Sequence, residues 1–400
     1  MDAGDPAYRM RSVDWEGDRL AIEWGDGHVS RYHGIWLRHQ CECRDCGTPR
    51  NAVRGMRILN LADDYSADSI TRKDGLVEIV WQQDSHRSVY QAVWLRDHCY
   101  EPSEVARRTH QPKLWDGTGK NGLPVFDFEA ASADRRVRMD MLQAVSDFGA
   151  CRIVNAPTEA ARAREMIALV GQQRQSHFGT YSLSKKAAVD NVGDVTFELL
   201  PHVDETYRLS TIGITVFQVL CPATEGGETT LVDGFEAARI LRRDWPEDFD
   251  LLCRYPVTGE RFDAGHNTDG RARWFVSRLP VLRLDRFGSV CGVRMNERQI
   301  APLEVPPDAV PDFYRALKRL YAVLYDPAMR LTLPLKAGEG VIFNNQRVLH
   351  GRNAYERGDP PRSVLTSSVD LEEFYSNLRL LRADLLPHAA PVIYPQGMVQ

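Results

Sequence analysis

The sequence predicts an α+β protein that is mainly β and has two domains. Three observations support this prediction: a repeated hairpin pattern near the N-terminus, a polar segment rich in Gly and Pro after it, and many short alternating strands interrupted by a few helices. Such strands are typical of a β-sandwich or jelly roll. We expect a small β-rich domain at residues 8–110, a linker at 111–125, and a jelly-roll domain with helical insertions at 126–400.

The composition excludes several classes of protein. The chain has 400 residues, of which 43% are hydrophobic and 26% charged, as in ordinary globular proteins with a sizeable core. A net charge of −5 gives no basic surface for nucleic acid, and no apolar run approaches the roughly 20 residues that span a bilayer. The first ten residues lack the apolar core of a signal peptide. We therefore expect a cytoplasmic protein that binds neither nucleic acid nor membranes.

Two copies of one pattern make up the N-terminal domain. LAIEWGDGHVSRYHGIWLRHQC ends at Cys41, and VEIVWQQDSHRSVYQAVWLRDHC ends at Cys99. Each copy reads as a strand, a turn, a second strand and then W-L-R-x-x-C, and His28 of the first copy matches His86 of the second. This alternation predicts two half-buried hairpins. In the second domain, residues 160–175 are expected to form an amphipathic helix.

A cluster of cysteines follows the first hairpin. Cys41, Cys43 and Cys46 form C-x-C-x2-C, a spacing that favours a closed tetrahedral zinc site over disulfides in a reducing compartment. A zinc ion with four protein ligands has no open position, so its role would be structural. The alternative is a surface cluster of reduced thiols. The candidates for the fourth ligand are His39, His86, His98 and Cys99.

The second domain carries a candidate iron site. In LLPHVDET, His202 and Asp204 are two apart and therefore point to the same face of a strand. His350 follows much later, at the end of an apolar strand and directly before a glycine. Two histidines and one carboxylate form the facial triad of non-haem Fe(II) oxygenases, which leaves positions open for a 2-oxo acid and O₂. Each motif alone is weak evidence, because an isolated histidine is more often structural.

A basic residue downstream suits a dicarboxylic co-substrate. Arg362 lies twelve residues after His350, and its guanidinium could hold the distal carboxylate of 2-oxoglutarate through two hydrogen bonds. Thr229, in GGETTLVDGF, could add a hydroxyl to the same carboxylate. Arg352 and Arg357 remain alternatives to Arg362.

These motifs resemble a known family. Residues 140–385 resemble the TauD/TfdA-type oxygenases, and nearly the whole chain resembles their γ-butyrobetaine and trimethyllysine hydroxylase branch. The matching strings are WLRHQCECRDC, QAVWLRDHC, HVD, GGETTLVDGF, LHGRNAY and the strand from Arg362 that leads into LRLLR. The resemblance implies a double-stranded β-helix core, Fe(II), 2-oxoglutarate, His86 as the fourth ligand of a structural zinc, and a homodimer.

The resemblance also implies the reaction. An unactivated C–H bond is hydroxylated by O₂ while 2-oxoglutarate becomes succinate and CO₂. Related halogenases lack the carboxylate ligand and bind chloride in its place, so Asp204 favours hydroxylation.

The substrate pocket departs from the family pattern. Members that bind quaternary ammonium groups use an aromatic cage. Its positions fall here on Phe178, on Ser182 (or Tyr181 if the register slips by one), on Asp194 and on Ser368. The cage is therefore largely absent. Because an Asp suits a primary ammonium better than a trimethylammonium group, we expect Asp194 and Ser368 to bind a primary amine.

The opposite end of such a substrate would be an anion. Asn191 is retained, and Asn296 matches a second asparagine that the family uses for a carboxylate or phosphonate, with Arg298 nearby to assist. A short zwitterion, such as an aminoalkylphosphonate or an amino acid, fits both ends.

Three alternatives compete with this hypothesis. The chain could be a γ-butyrobetaine or trimethyllysine hydroxylase, which the missing cage argues against. It could be a biosynthetic oxygenase that desaturates or cyclises its substrate. It could also be a zinc-binding interaction protein with an inactive oxygenase fold, but that alternative predicts a broken ligand set, whereas all three iron ligands and Arg362 are present.

Overall fold

The structure is a computed structural model, and it consists of two compact units. It describes residues 5–48, 53–118, 122–159, 162, 164–175, 181–183, 195–265, 270–356, 358, 360–387 and 389–394, with backbone only at 53 and 181–183. The smaller unit comprises the residues up to Thr109 and a C-terminal segment ending at Ile393, and the larger unit begins at His110. In the described part of the chain, no helix has both the length and the apolar character to cross a membrane.

The smaller unit contains two three-stranded antiparallel sheets, each followed by a short helix. Its elements are β1 (Met10–Glu16), β2 (Arg19–Trp24), β3 (Val29–His33), α1 (Gly34–His39), β4 (Gly47–Thr48), β5 (Val53–Arg54), β6 (Ala67–Lys73), β7 (Leu76–Trp81), β8 (Arg87–Gln91), α2 (Ala92–Asp97) and α3 (Pro102–Arg108).

The two halves of this unit exchange equivalent contacts. Tyr32 at the end of the first hairpin donates its hydroxyl to the Leu95 carbonyl on α2, at 2.6 Å. Tyr90 at the end of the second donates to the Leu37 carbonyl on α1, at 2.5 Å. Both tyrosines are buried in one apolar cluster that draws on both sheets. The sequence repeat therefore folds as two interlocked halves around a shared core.

The described residues of the larger unit form two main sheets, with helices and two-stranded ribbons around them. Its elements are β9 (Val125–Asp127), α4 (Phe128–Ala133), α5 (Arg135–Phe148), β10 (Ala150–Val154), α6 (Glu165–Ala168), β11 (Tyr181–Leu183), β12 (Leu199–His202), β13 (Ile214–Cys221), β14 (Thr229–Asp233), α7 (Gly234–Asp244), α8 (Pro246–Arg254), β15 (Pro256–Asp263), β16 (Arg273–Pro280), β17 (Leu282–Leu284), β18 (Val290–Val293), α9 (Val310–Tyr325), β19 (Leu331–Leu333), β20 (Gly340–Asn344), β21 (Val348–Arg352), β22 (Ser363–Val369) and α10 (Leu371–Leu385).

The two main sheets form the predicted jelly roll. One has six strands in the order β11-β22-β13-β20-β10-β9, and the other has four in the order β12-β21-β14-β19. An apolar cluster joins them, with Val341 and Phe343 from the larger sheet and Leu231 and Val348 from the smaller. This arrangement is a double-stranded β-helix with helical insertions, as the sequence predicted. Helices α7, α8 and α9 pack around a second apolar cluster.

One predicted helix is much shorter than expected. Within residues 160–175 the described helix is α6, of four residues. A Cβ at Gly171 would lie 2.9 Å from side-chain atoms of Asn377 and Glu373 on α10, so the chain turns closely against that helix. Beyond the turn, Arg174 donates its N–H to the Ser368 carbonyl on β22, at 2.8 Å. Pairing with a strand thus replaces the helix that the amphipathic pattern favoured.

A buried ion pair joins several elements of the larger unit. Arg347, directly before β21, donates from Nε and Nη2 to the two carboxylate oxygens of Asp233 at 3.0 and 2.8 Å. Both side chains are 2% exposed or less. The remaining donors of Arg347 reach the carbonyls of Asp147 and Lys113. All these groups satisfy one another, so the pair fixes the position of β21 relative to β14, α5 and the segment before α4.

We expect Arg347→Met to lower the free energy of unfolding of the larger unit by about 3–5 kcal/mol, because it leaves the Asp233 carboxylate buried without its counter-charge. Urea unfolding followed by tryptophan fluorescence measures the change. Arg136→Gln is the control, since it removes an exposed i,i+4 pair with Asp140 and should cost about 0.5 kcal/mol or less. Equal losses in the two variants would contradict this role for the buried pair.

Candidate metal centres and co-substrate site

The three predicted iron ligands lie together on and beside two adjacent strands of the four-stranded sheet. His202 ends β12 and pairs directly with His350 on β21, so the two imidazoles project side by side with centroids 4.5 Å apart. Asp204 lies just beyond β12, and its two carboxylate oxygens are each 3.5 Å from Nε2 of one histidine. One ligand atom from each residue lies within 4.8 Å of the others. The residues therefore fit a single metal ion.

The surroundings of the two histidines suit metal binding. Nδ1–H of His202 donates to the Leu200 carbonyl at 2.9 Å, which leaves the lone pair of Nε2 facing the cluster. Burial lowers the pKa of His350 to about 4, against the opposing effect of Asp204, so its imidazole is neutral at neutral pH. The His350 ring can therefore act as a ligand without first losing a proton.

Asn345 holds the backbone of Asp204 in place. Its Oδ1 accepts the Asp204 N–H at 2.9 Å, and its Nδ2 donates to the Asp204 carbonyl at 3.1 Å. The side chain of Asn345 is buried, at 1% exposure. Sequence reasoning did not identify this residue, although it lies in the same FNNQRVLHG string as His350.

A positive charge lies near the cluster. Burial would raise the pKa of Asp204, but His350, His202 and Arg298 together hold it well below its usual range. Arg298 belongs to a short helical turn that packs on the metal-binding segment, where Gln299 accepts hydrogen bonds from the N–H and hydroxyl of Thr206 at 3.1 and 2.7 Å. Asp204 is therefore ionised and available as a ligand.

Arg362 is a partly buried guanidinium with no described counter-charge. It makes no hydrogen bond or ion pair with the residues that the structure describes, and its contact there is with the Tyr355 ring, 5.6 Å from the guanidinium carbon to the centroid. Burial lowers its pKa to about 10. Arg362 lies beside the segment that leads into β14, which begins at Thr229. A Cβ built on Gly227, in that segment, would lie 3.5 Å from Arg362 Nε.

Arg352 differs from Arg362 because its guanidinium already donates hydrogen bonds to backbone carbonyls. Its Nη2 donates to Val195 and Phe197 at 2.7 and 2.8 Å, and its Nε donates to Asn353 at 3.2 Å. These bonds give Arg352 a structural role. The other alternative, Arg357, lies outside the described residues.

The predicted substrate residues are only partly described. Asn296 is buried at 3% exposure, its Nδ2 donates to the Val203 carbonyl at 3.2 Å, and its Oδ1 is buried without a partner among the described residues. Ser368 lies on β22, and Ser182 lies on the adjacent strand β11. Phe178, Asn191 and Asp194 lie outside the described residues.

The cysteines of the smaller unit converge on one histidine. Nε2 of His86 lies 3.4, 3.7 and 3.6 Å from the sulfur atoms of Cys41, Cys43 and Cys46. Tetrahedral zinc, with bonds of roughly 2.3 Å to sulfur and 2.0 Å to nitrogen, requires such separations of about 3.6 Å. The four side chains are thus compatible with a closed structural zinc site. Arg38 supports it by donating to the Cys46 sulfur at 3.3 Å and to Asp84 at 2.8 Å.

The other candidates for the fourth ligand lie elsewhere. Cys99 pairs instead with His28, at 3.6 Å from sulfur to Nε2. This pair is the counterpart of Cys41 and His86 in the sequence repeat. Arg96, the counterpart of Arg38, binds Glu104 at 3.0 Å there. One half of the repeat thus presents a metal-binding set, while the other presents an ion pair.

The family models match both units. Residues 107–367 match the model described as taurine catabolism dioxygenase TauD, TfdA family. The chain belongs to the TauD/TfdA family. It is therefore a 2-oxoglutarate-dependent dioxygenase that uses Fe(II), and residues 12–96 match the N-terminal domain of γ-butyrobetaine hydroxylase-like proteins.

Individual relatives cover most of this dioxygenase. A γ-butyrobetaine dioxygenase of Pseudomonas sp. (strain AK-1) is 30% identical over 91% of this chain and 94% of its own. A trimethyllysine dioxygenase of Meyerozyma guilliermondii is 26% identical over 95% of this chain and 98% of its own. Among solved structures, an asparagine oxygenase in complex with Fe(II), hydroxyasparagine and succinate aligns with 61% of this chain and 83% of its own, at 16% identity and a TM-score of 0.48.

We expect the protein to retain zinc through dialysis against a weak chelator, and His86→Ala to lose it, because three thiolates alone leave the tetrahedral site open. Mass spectrometry of the full chain measures the bound zinc. Circular dichroism measures whether structure is lost with it. His28→Ala is the matched control, since it changes the equivalent histidine of the other repeat and should keep the zinc. If both variants lost zinc equally, the assignment of His86 would be wrong.

Proposed function

We propose that this dioxygenase hydroxylates an unactivated C–H bond of a small zwitterion that carries an ammonium group. The cluster of His202, Asp204 and His350 would hold the iron, and the observation that carries the proposal is this cluster within one described sheet. Bound iron, with O₂ and 2-oxoglutarate, supplies the oxidising power, and succinate and CO₂ are released. The protein holds one C–H bond of the substrate toward the metal.

Arg362 is the proposed anchor of 2-oxoglutarate. A buried guanidinium without a carboxylate partner is costly unless a ligand pairs with it. Arg352 donates to backbone carbonyls, whereas Arg362 makes no hydrogen bond with the described residues and could bind both oxygens of a distal carboxylate. Thr229, on the neighbouring strand β14, adds a hydroxyl to the same carboxylate in this proposal.

The substrate class follows from both ends of the proposed pocket. The buried amide of Asn296 marks a polar position next to the metal-binding segment, where its Nδ2 donates one N–H to the Val203 carbonyl and keeps a second N–H that could donate to an anion. With Asn191, it would hold the anionic end. The names of the relatives favour a trimethylammonium group at the other end, as in γ-butyrobetaine or trimethyllysine.

A primary amine is the second candidate. It is favoured by the small polar side chains at two cage positions, Ser182 and Ser368, and by Asp194 at a third. Serines offer hydrogen bonds to N–H donors, which a trimethylammonium group lacks. Phe178 is the aromatic residue that remains for a cation–π contact.

We also propose that the enzyme acts as a homodimer in the cytoplasm. The support is the match of both domains to the γ-butyrobetaine hydroxylase branch. Light scattering on the purified protein would measure the mass of the assembly.

We expect Arg362→Met to weaken 2-oxoglutarate binding about a hundredfold, because it removes a charge-assisted pair from a partly buried site. Calorimetric titration of 2-oxoglutarate into the Mn(II)-loaded protein measures this without turnover. The matched ligand control is 2-oxobutyrate, which lacks the distal carboxylate and should bind the variant and the natural protein alike. An unchanged affinity for 2-oxoglutarate would exclude Arg362 as its anchor.

We expect succinate release, coupled to a product that gains one oxygen atom, with γ-butyrobetaine or trimethyllysine. Each is compared with its primary-amine counterpart, 4-aminobutyrate or lysine, by mass spectrometry of product and succinate. Faster turnover of the primary amines would favour the second candidate, and a product that loses two hydrogens would indicate desaturation. His350→Ala is the control for background, and no coupled product from any of these amines would contradict the proposed substrate class.

A further inference from the structure

Tyr355 places one aromatic ring beside two arginines. The guanidinium carbon of Arg352 lies 4.6 Å from the ring centroid, and that of Arg362 lies 5.6 Å from it. Both distances are within the roughly 6 Å at which a cation is attracted to the face of an aromatic ring. The Tyr355 side chain is half-buried, and its hydroxyl makes no hydrogen bond with the described residues. Its contact with the two cations is therefore made by the ring.

The backbone of Tyr355 is fixed from two sides. Its N–H donates to the Thr196 carbonyl at 2.9 Å, and the residue forms a β-bridge with Gly226. Gly226 has a φ of 69°, and a Cβ there would overlap the carbonyl oxygen of Ala354, so this close approach requires glycine. A Cβ on Gly227 would lie 3.2 Å from Tyr355 Cβ. The ring therefore starts from a well-defined position beside the Gly226–Gly227 turn.

The two arginines differ in what else holds them. Arg352 donates to the carbonyls of Val195 and Phe197, whereas Arg362 makes no hydrogen bond with the described residues. An arginine side chain has several rotatable bonds, so a guanidinium without hydrogen bonds depends on other contacts for its orientation. The ring of Tyr355 provides such a contact for Arg362.

The like charges of the two arginines make this contact more important. Burial lowers the pKa of Arg362 to about 10, and the charge of Arg352 acts in the same direction. The two cations are thus close enough to repel each other, while the ring attracts both. Because backbone carbonyls fix Arg352, the repulsion would displace Arg362 if the ring did not hold it.

We propose that Tyr355 is a positioning residue, which holds the Arg362 guanidinium in the orientation that binds the distal carboxylate of 2-oxoglutarate. The inference rests on the assignment of Arg362 as the anchor under the proposed function. Attraction to the ring limits the orientations of the guanidinium before the co-substrate arrives, so less conformational freedom is lost on binding.

The effect of the ring should be confined to ligands that have a distal carboxylate. 2-Oxobutyrate has only the 2-oxo acid group that chelates the metal, so its affinity should depend on neither Arg362 nor Tyr355. A ring that only supported the fold would affect both ligands. The difference between the two ligands therefore separates positioning from a general structural role.

The test measures the dissociation constants of both ligands for the Mn(II)-loaded full chain by calorimetric titration. We expect Tyr355→Leu to weaken 2-oxoglutarate binding about fivefold to tenfold, because it removes a cation–π contact of a partly buried guanidinium, and to leave 2-oxobutyrate binding unchanged. The conservative variant Tyr355→Phe keeps the ring and should restore the affinity. Unchanged 2-oxoglutarate binding in Tyr355→Leu, or equal weakening of both ligands, would overturn the proposal.

A double variant separates the ring from the anchor. In the Arg362→Met background, Tyr355→Leu should cause no further loss of 2-oxoglutarate affinity, because the group on which the ring acts is gone. A full additional loss would refute the proposal. An unchanged affinity in Arg362→Met alone would remove the anchor itself, whereas a loss in that variant without a loss in Tyr355→Leu would refute only the role of the ring.

Fluorinated phenylalanines at position 355 make the test independent of folding. Successive fluorine atoms weaken the negative face of the ring while nearly keeping its shape, so 2-oxoglutarate affinity should fall stepwise with their number. Circular dichroism checks that each variant is folded. An affinity that does not change with the number of fluorine atoms would contradict a cation–π contact with Arg362.

Discussion

The ion pair between Arg347 and Asp233 is the constraint on which the larger unit depends. Asp233 ends β14 and also accepts the N–H of Phe235, so one carboxylate caps α7 and pairs with Arg347. Arg347 lies three residues before His350, and each of its three side-chain nitrogens donates to the Asp233 carboxylate or to a backbone carbonyl. Because neither charge can be left alone in the interior, the start of β21 has one stable position. The histidine on that strand is positioned accordingly.

The metal cluster then follows from strand pairing and from one amide. His202 and His350 lie opposite each other on adjacent antiparallel strands, and such partners have close side chains on the same face. Asp204 lies beyond the strand, where pairing no longer fixes it, and Asn345 takes over through two backbone hydrogen bonds. The jelly roll therefore brings together candidate ligands that are far apart in the chain, and the second histidine lies on a strand.

The smaller unit solves a related problem with a sequence repeat. Its halves place a histidine from one hairpin beside a cysteine from the other half, both for Cys41 with His86 and for Cys99 with His28. Cys43 and Cys46 complete a metal-binding set at the first position, whereas Arg96 and Glu104 form an ion pair at the second. The two arrangements are alternative ways to satisfy polar groups at equivalent positions in a small core.

The sequence by itself determined the mainly β fold, the repeat, and the residue types that meet at both candidate metal centres. Those features depend on alternation and on short spacings, such as H-x-D and C-x-C-x2-C, which the local backbone translates directly into shared faces. It did not reveal Asn345 or the short α6. Only the tertiary structure shows that Arg352 donates to backbone carbonyls, whereas Arg362 makes no hydrogen bond with the described residues. Whether a buried charge already has a partner depends on neighbours that are distant in the chain.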